Sequence, residues 1–271
     1  MSKNIRPLNN KELQEQAPTL FTEQPHHEVS DKYHFIPTID VIEEIRTHGW
    51  YPVNVSQAGV RDIEKQGYQQ HYVRFQHFED LLTPDGNVVE LLLFNSHDRT
   101  KAFTISAGIY RYVCSNGLVI SDNIFESYTI KHLGERDNDV VNAVNRIVDV
   151  KPKLLNKVSL FENITLTQNE KEAFVKNALP LRFNNHLELD DTNDFLTPLR
   201  EEDEKDDLYT TLNVLQENLL SSSIKGYNKD TGRKFTSKEI TSISKDVEIN
   251  KGLWSIAEKI ALIKEPELMA A

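Results

Sequence analysis

The chain has a single cysteine, Cys114, among its 271 residues. An internal disulfide and a multi-cysteine zinc or iron–sulfur site are therefore excluded, and a reducing cytoplasm is the expected compartment. No apolar run approaches the roughly 18 residues that a membrane span needs. The opening residues, Met1-Ser2-Lys3-Asn4, hold no apolar stretch of signal-peptide type. Neither a Walker-A string nor Gly-x-Gly-x-x-Gly is present, so nucleotide binding has no motif behind it. A Gly-x-Ser-x-Gly elbow is missing too. No cofactor is implied, and the chain reads as non-enzymatic before it reads as an enzyme. What remains is ordinary globular composition, 38% hydrophobic and 27% charged, for one large domain or two small ones.

The net charge of −11 hides a segregation. Glu188, Asp190, Asp191, Asp194, Glu201, Glu202, Asp203, Glu204, Asp206 and Asp207 are opposed only by Arg200 and Lys205. Poor in apolar residues and holding Pro198, residues 188–207 read as a solvated acidic linker. The sign then flips. Lys225, Lys229, Arg233, Lys234, Lys238 and Lys245 face only Asp230 and Glu239. A low overall isoelectric point does not exclude such a local phosphate-binding surface.

Patterning gives an α+β protein, with an antiparallel sheet in the N-terminal half and a helical C-terminal half. Residues 1–32 contain Pro7, Pro18 and Pro25 and read as an irregular, flexible arm. Residues 33–134 form a β-rich core. Within it Thr38 caps a helix that Gly49 stops. Strands follow at 50–57, 67–78 and 88–94, with an extended stretch at 101–106. Residues 107–113 fit a short helix, which Asn116-Gly117 would end; the same dipeptide could instead close a hairpin. Further strands are expected at 118–120 and near 128–132. Residues 135–187 are a helical part of the same domain, with Pro152 in the first turn of a second helix. Thr167-Gln168-Asn169-Glu170 is a capping box. Residues 208–271 form a C-terminal helical segment. There Leu208, Leu212, Leu215 and Leu219 line one helix, and a last helix spans about 250–263. Residues 229–232 read as a loop or hairpin tip.

Several clusters could carry chemistry. His26-His27-Glu28 with His34 could be metal ligands or simply a solvated arm. No metal is expected. Asn95-Ser96-His97-Asp98 joins a hydroxyl, an imidazole and a carboxylate, yet reads as a turn whose Asn and Asp bond their own backbone. With Arg111 and Asn116, residues Asn95, His97 and Asp98 make a candidate polar site, because buried Asn and Arg need partners. Asp190, Asp191 and Asp194 could hold Mg²⁺, although a linker is the default reading. Cys114 reads as a small buried hydrophobe. The strongest signal is a nucleic-acid surface. Tyr68, Gln70, Tyr72 and Arg74 share one strand face, which suits base stacking beside phosphate contacts. Lys101, Arg111, Lys225, Lys229, Arg233, Lys234 and Lys238 could add contacts to phosphates. The competing reading places these aromatics in the sheet core and pairs Arg74 with an acid.

Phe35-Ile36-Pro37-Thr38, Gly49-Trp50-Tyr51-Pro52-Val53 and the run from Gly67 to Phe75 occur in that order. Glu90-Leu91, Asn95-Ser96-His97-Asp98 and Arg111-Tyr112-Val113-Cys114-Ser115-Asn116-Gly117-Leu118 follow, then Gln216-Glu217-Asn218-Leu219, Asn250 and Leu253-Trp254. This order resembles a phage- and plasmid-borne family known as domain of unknown function 932. The likeness spans about residues 33–257 and leaves out 201–207. It implies a gene carried by mobile elements, but no reaction. In outline, the order of elements is also similar to the core of strand-annealing recombination proteins. A single-stranded DNA binding and annealing protein, working in recombination or replication as a homo-oligomer, is therefore expected. The alternatives are an interaction protein that inhibits a host defence system by acidic DNA mimicry, and a metal-dependent nuclease using His97 and Asp98.

Overall fold

The computed structural model describes residues 5–29, 35–60, 62–83, 86–112, 116–119, 128–129, 137–221 and 223–269. Two units divide the chain, Met1–Pro152 and Lys153–Ala271. The boundary falls inside a helix, well beyond the end of the β-rich stretch where the sequence suggested a change of character.

The first unit is built on an antiparallel sheet. Its elements are helix α1 (Asn10–Gln16), α2 (Thr38–Thr47), strand β1 (Trp50–Gln57), β2 (His71–His77), α3 (Phe78–Leu82), β3 (Asn87–Asn95), β4 (Thr104–Arg111), β5 (Asn116–Val119) and β6 (Tyr128–Thr129). The order is β1-β2-β3-β4, with β5 and β6 pairing different stretches of β4. Register puts Val73 beside Leu93 and Phe75 beside Leu91, with Ile105 and Ala107 next in the rows. All six are buried. Burying each large side chain stabilises by about 1.5–3 kcal/mol, so this face is the core of the unit.

Four expectations change in this unit. The short helix expected over residues 107–113 is not found in the described residues 107–112. Residues 107–111 lie in β4, where Ala107, Ile109 and Arg111 pair with Leu91, Val89 and Asn87. Residues 113–115, with Cys114, lie outside the described set, as does His34. Arg111 pairs with Asn116, so these two strands form the hairpin alternative. The described part of the N-terminal arm is folded. Asn9 and Glu12 make a reciprocal capping box at the start of α1. Leu13, Ala17 and Leu20 are wholly buried, and the Leu8 amide donates to the Pro52 carbonyl on edge strand β1. Thr38 is the first helical residue after Pro37 and makes no side-chain cap; its hydroxyl is used elsewhere. Gly49 does end α2, at φ +78°. Finally, helix α4 (Asp137–Glu162) runs straight through Pro152 instead of restarting there.

The second unit holds α5 (Gln168–Ala178), β7 (Leu187–Leu189), α6 (Leu208–Leu220), β8 (Lys225–Asn228), β9 (Lys234–Thr236) and α7 (Ile243–Met269). Thr167 and Glu170 form the expected capping box. Leu208, Leu212, Leu215 and Leu219 are buried, as are Leu253, Trp254 and Ala257 on α7. Trp254 packs against Phe161 with ring centroids 5.1 Å apart. Helix α7 begins earlier and ends later than its apolar pattern suggested.

The acidic stretch is not a linker. It contributes β7 and short 3-10 turns at Asn193–Leu196 and Glu201–Asp203. Phe195 and Asp203 are buried. Arg200 bonds both Asp203 and Glu217, and Asp207 caps α6 through the Thr210 amide. Phe195 and the buried Asp203 anchor it, and most of its other acids are exposed.

Candidate nucleic-acid interface

In the first unit, Arg74 is committed to the fold. Strand register places Arg74 and Gln76 on the same sheet face as Glu90. The Arg74 Nε donates to Glu90 Oε2 at 2.6 Å, and an Nη does so as well. Gln76 donates to the other Glu90 oxygen at 2.9 Å and accepts from the Tyr112 hydroxyl at 2.9 Å. Arg74 also lies 5.1 Å from the Tyr110 ring centroid. The Glu90 side chain is 1% exposed. The pairing of Arg74 with an acid is therefore the arrangement found, and a phosphate contact from this guanidinium would have to break it. Tyr72 is half-buried and stacks on Phe94, with centroids 5.7 Å apart. Tyr68 meets His26 edge-on at 5.0 Å. Lys101 is exposed, whereas Arg111 is buried.

The candidate polar site separates into two places. Register pairs Arg111 with Asn87 at one end of β3. Asn95 ends the strand eight residues on, about 26 Å away at strand rise. Asn116 pairs with Arg111, at the far end from Asn95. At the near end lies a buried chain of hydrogen bonds. Asn95 donates to the Thr38 hydroxyl at 3.0 Å, and that hydroxyl lies 2.8 Å from His71 Nε2. His71 Nδ1 lies 3.1 Å from the Gln69 carbonyl and donates to it. His71 Nε2 is then the acceptor. Burial first, and His97 second, push the His71 pKa down to about 3, while the Gln69 bond and Asp98 pull upward. His97 bonds the Thr19 carbonyl at 3.0 Å through Nε2. Asp98 folds back on Thr100. His97 ties Thr19 and His26 to the sheet end, while the Thr38 hydroxyl is taken by Asn95 and His71. Among the described residues no group of three His, Cys, Asp or Glu side chains is placed to hold a metal.

In the second unit, β7, β8 and β9 form a three-stranded antiparallel sheet. Glu188, Tyr227 and Lys234 make one row across it, and Leu189, Gly226 and Phe235 make the next, on the opposite face. The apolar face meets Phe183, whose ring lies 6.3 Å from Phe235. A Cβ at Gly226 would collide with the Glu188 carbonyl, so close approach of β7 requires glycine there. Arg182 donates to the Leu219, Ser221 and Lys238 carbonyls and so pins the root of the hairpin. Its burial lowers its pKa.

The opposite face is polar. Lys225, Lys229, Arg233, Lys234 and Lys238 are all exposed. Two of the nearby acids are already paired. Glu188 is the register partner of Tyr227, its carboxylate raises the Tyr227 pKa, and it lies 4.0 Å from Lys229. Asp230 pairs with His186 at 2.6 Å. Lys225, Arg233, Lys234 and Lys238 have no carboxylate partner among the described residues. Asp190, Asp191 and Asp194 line a separate cleft of about 380 Å³ beside Lys225, with Asn218 and Ser223.

The model of a domain of unknown function, DUF932, matches residues 25–254. The chain belongs to the DUF932 family. Two curated relatives from Escherichia coli (strain K12), the UPF0380 proteins YafZ and YfjQ, are each 31% identical over 255 residues. The alignments cover 94% of this chain and 92% of each relative. No solved structure matches. The DUF932 match begins after α1 and runs through the acidic stretch and the hairpin, whereas the sequence likeness left the run 201–207 outside. The C-terminal strings that carried the likeness converge on one structural junction. Gln216 donates to Asn250, Glu217 clamps Arg200, and Asn218 holds the Phe195 and Thr197 carbonyls.

Sequence reading overlooked Tyr227 and Arg182. Tyr227 has a sequence signal, lying between Lys225 and Lys229 at the alternating spacing of a strand. Arg182 has none, because its three carbonyl partners lie 37 to 56 residues away in sequence.

Proposed function

We propose that this DUF932 protein is a mobile-element protein that binds single-stranded DNA, with the β8–β9 hairpin as its phosphate-contacting surface. One observation carries the reading. Lys225, Arg233, Lys234 and Lys238 are exposed and unpaired by carboxylates among the described residues, while the acids Glu188 and Asp230 are engaged. Unpaired surface cations held on a rigid hairpin neutralise phosphates without first giving up an ion pair. Annealing in recombination or replication, by a homo-oligomer, extends this reading. Fluorescence anisotropy with labelled oligonucleotides tests it. Binding should weaken steeply with salt. The triple change Arg233→Gln, Lys234→Gln, Lys238→Gln should flatten the log–log salt slope by about 2, from roughly 0.7 per phosphate contact on a single strand. No binding at low salt would sink the reading.

A second reading has its own observation. The acids of residues 188–207 sit on folded backbone, and Asp190, Asp191, Asp194, Glu201, Glu202 and Glu204 are exposed. A fixed array of carboxylates suits a DNA mimic that occupies the basic groove of a host defence protein. Capture of such a partner should then vanish when these acids are neutralised.

A further inference from the structure

We propose that Tyr227 is a base-stacking platform for one unpaired base of a single strand, with Glu188 as the positioning residue that holds its ring. This inference rests on the reading of the hairpin as the phosphate-binding surface and adds the group that selects unpaired bases.

The placement follows from strand alternation. Tyr227 faces away from the apolar side of the sheet, where Phe235 meets Phe183. A tyrosine needed for packing would occupy that inner face; this one is 37% exposed on the outer face. Glu188 lies directly across from it in β7, on the same face, and its carboxylate raises the Tyr227 pKa. No ring among the described residues packs on Tyr227, so its π-face is open to a base. Lys234 is its register partner on β9, which puts the two Cβ atoms about 5 Å apart. Lys225 and Lys229 lie two residues away along the chain, about 7 Å at strand rise. An aromatic ring bordered by ammonium groups is the arrangement that binds single strands, with stacking on the base and charge on the backbone.

The residues that the sequence favoured for stacking are less open. One face of Tyr72 is covered by Phe94, and the Tyr68 ring is met by His26. The acids beside the platform also argue for selectivity. With Glu188 4.0 Å from Lys229, three of the four unpaired cations, Arg233, Lys234 and Lys238, lie on the β9 side, which favours a strand running along that edge.

The test compares three probes on the full chain: a short oligothymidine, an abasic strand of equal length, and a duplex. Tyr227→Ala should lower oligothymidine affinity by roughly tenfold and leave the abasic strand and the duplex unchanged. Tyr227→Phe should keep most of the affinity. Glu188→Ala should reduce the ratio of oligothymidine to abasic affinity, and Glu188→Gln should restore it, which a purely electrostatic role would not do. The exposed position of Tyr227 lets the variants fold, and circular dichroism checks that. Unchanged oligothymidine binding by Tyr227→Ala would overturn the inference, as would equal losses on the abasic strand, with the phosphate surface left standing. Failure of the unmodified protein to bind any of the three at low salt would remove the phosphate surface and this inference together.

Discussion

His71 shows how one side chain couples the fold to pH. It is fully buried, donates to Gln69 and accepts from Thr38. Its folded pKa of about 3 lies below the ordinary 6.5. The unfolded chain therefore binds a proton that the folded chain refuses between those values. Stability from this residue is complete above about pH 6.5 and falls as pH drops toward 3, by about 1.4 kcal/mol per pH unit. Urea unfolding across that range should show the slope, and His71→Asn should flatten it. A slope that survives the substitution would assign it to other groups. Arg74 gives a second residue-scale prediction. Removing one partner of a buried pair leaves the other charge stranded, so Arg74→Ala should cost about 3–5 kcal/mol. Arg74→Met with Glu90→Leu should recover most of that in the same unfolding assay, and neither variant should alter oligonucleotide binding. The sequence named Arg74 and both of its possible roles. It could not choose between them, because Glu90 becomes its neighbour only through the β2–β3 register.

The legibility of elements depended on whether one face was wet. Helices α5 and α6 announce themselves through a capping box and a leucine stripe, signals that are local and periodic. Strand β4 is buried on both faces, so residues 104–111 lose the alternation that marks a half-exposed strand and fit a helix as well. The acidic stretch hid its anchors, Phe195 and Asp203, among charges. Helix α1 is short and lies between prolines, which is why it passed for an arm. Its docking makes a sharp prediction. An irregular arm would tolerate Leu13→Ala at no cost. A fully buried Leu13 should cost about 2–5 kcal/mol, and Asn9→Ala about 1 kcal/mol through the lost cap. Thermal or urea unfolding separates these outcomes. The His26 amide, which donates to the His97 carbonyl, and the Thr19 amide, which donates to Gln57, should also be protected from hydrogen exchange.

At the scale of the whole molecule, the net charge of −11 opposes the proposed partner, and most of it is concentrated in residues 188–207. The second unit thus carries an unpaired basic hairpin and an exposed acidic segment together. Exposed charges act across a Debye length, about 10 Å at 0.1 M salt and about 3 Å at 1 M. Acids that touch no phosphate can still repel one at low salt and go unnoticed at high salt. Glu201→Gln, Glu202→Gln and Glu204→Gln change exposed side chains in a turn anchored by Arg200 and Asp203, so the fold should hold. If the hairpin is the functional surface, this triple variant should bind single strands severalfold more tightly at low salt, with the gain vanishing near 1 M. If the acids are themselves the recognition surface of a DNA mimic, the variant should lose its protein partner, whatever happens to oligonucleotides. The two readings predict opposite consequences for the same three substitutions. A salt titration of anisotropy, run beside capture of the basic partner, therefore decides whether those carboxylates restrain nucleic-acid binding or replace it.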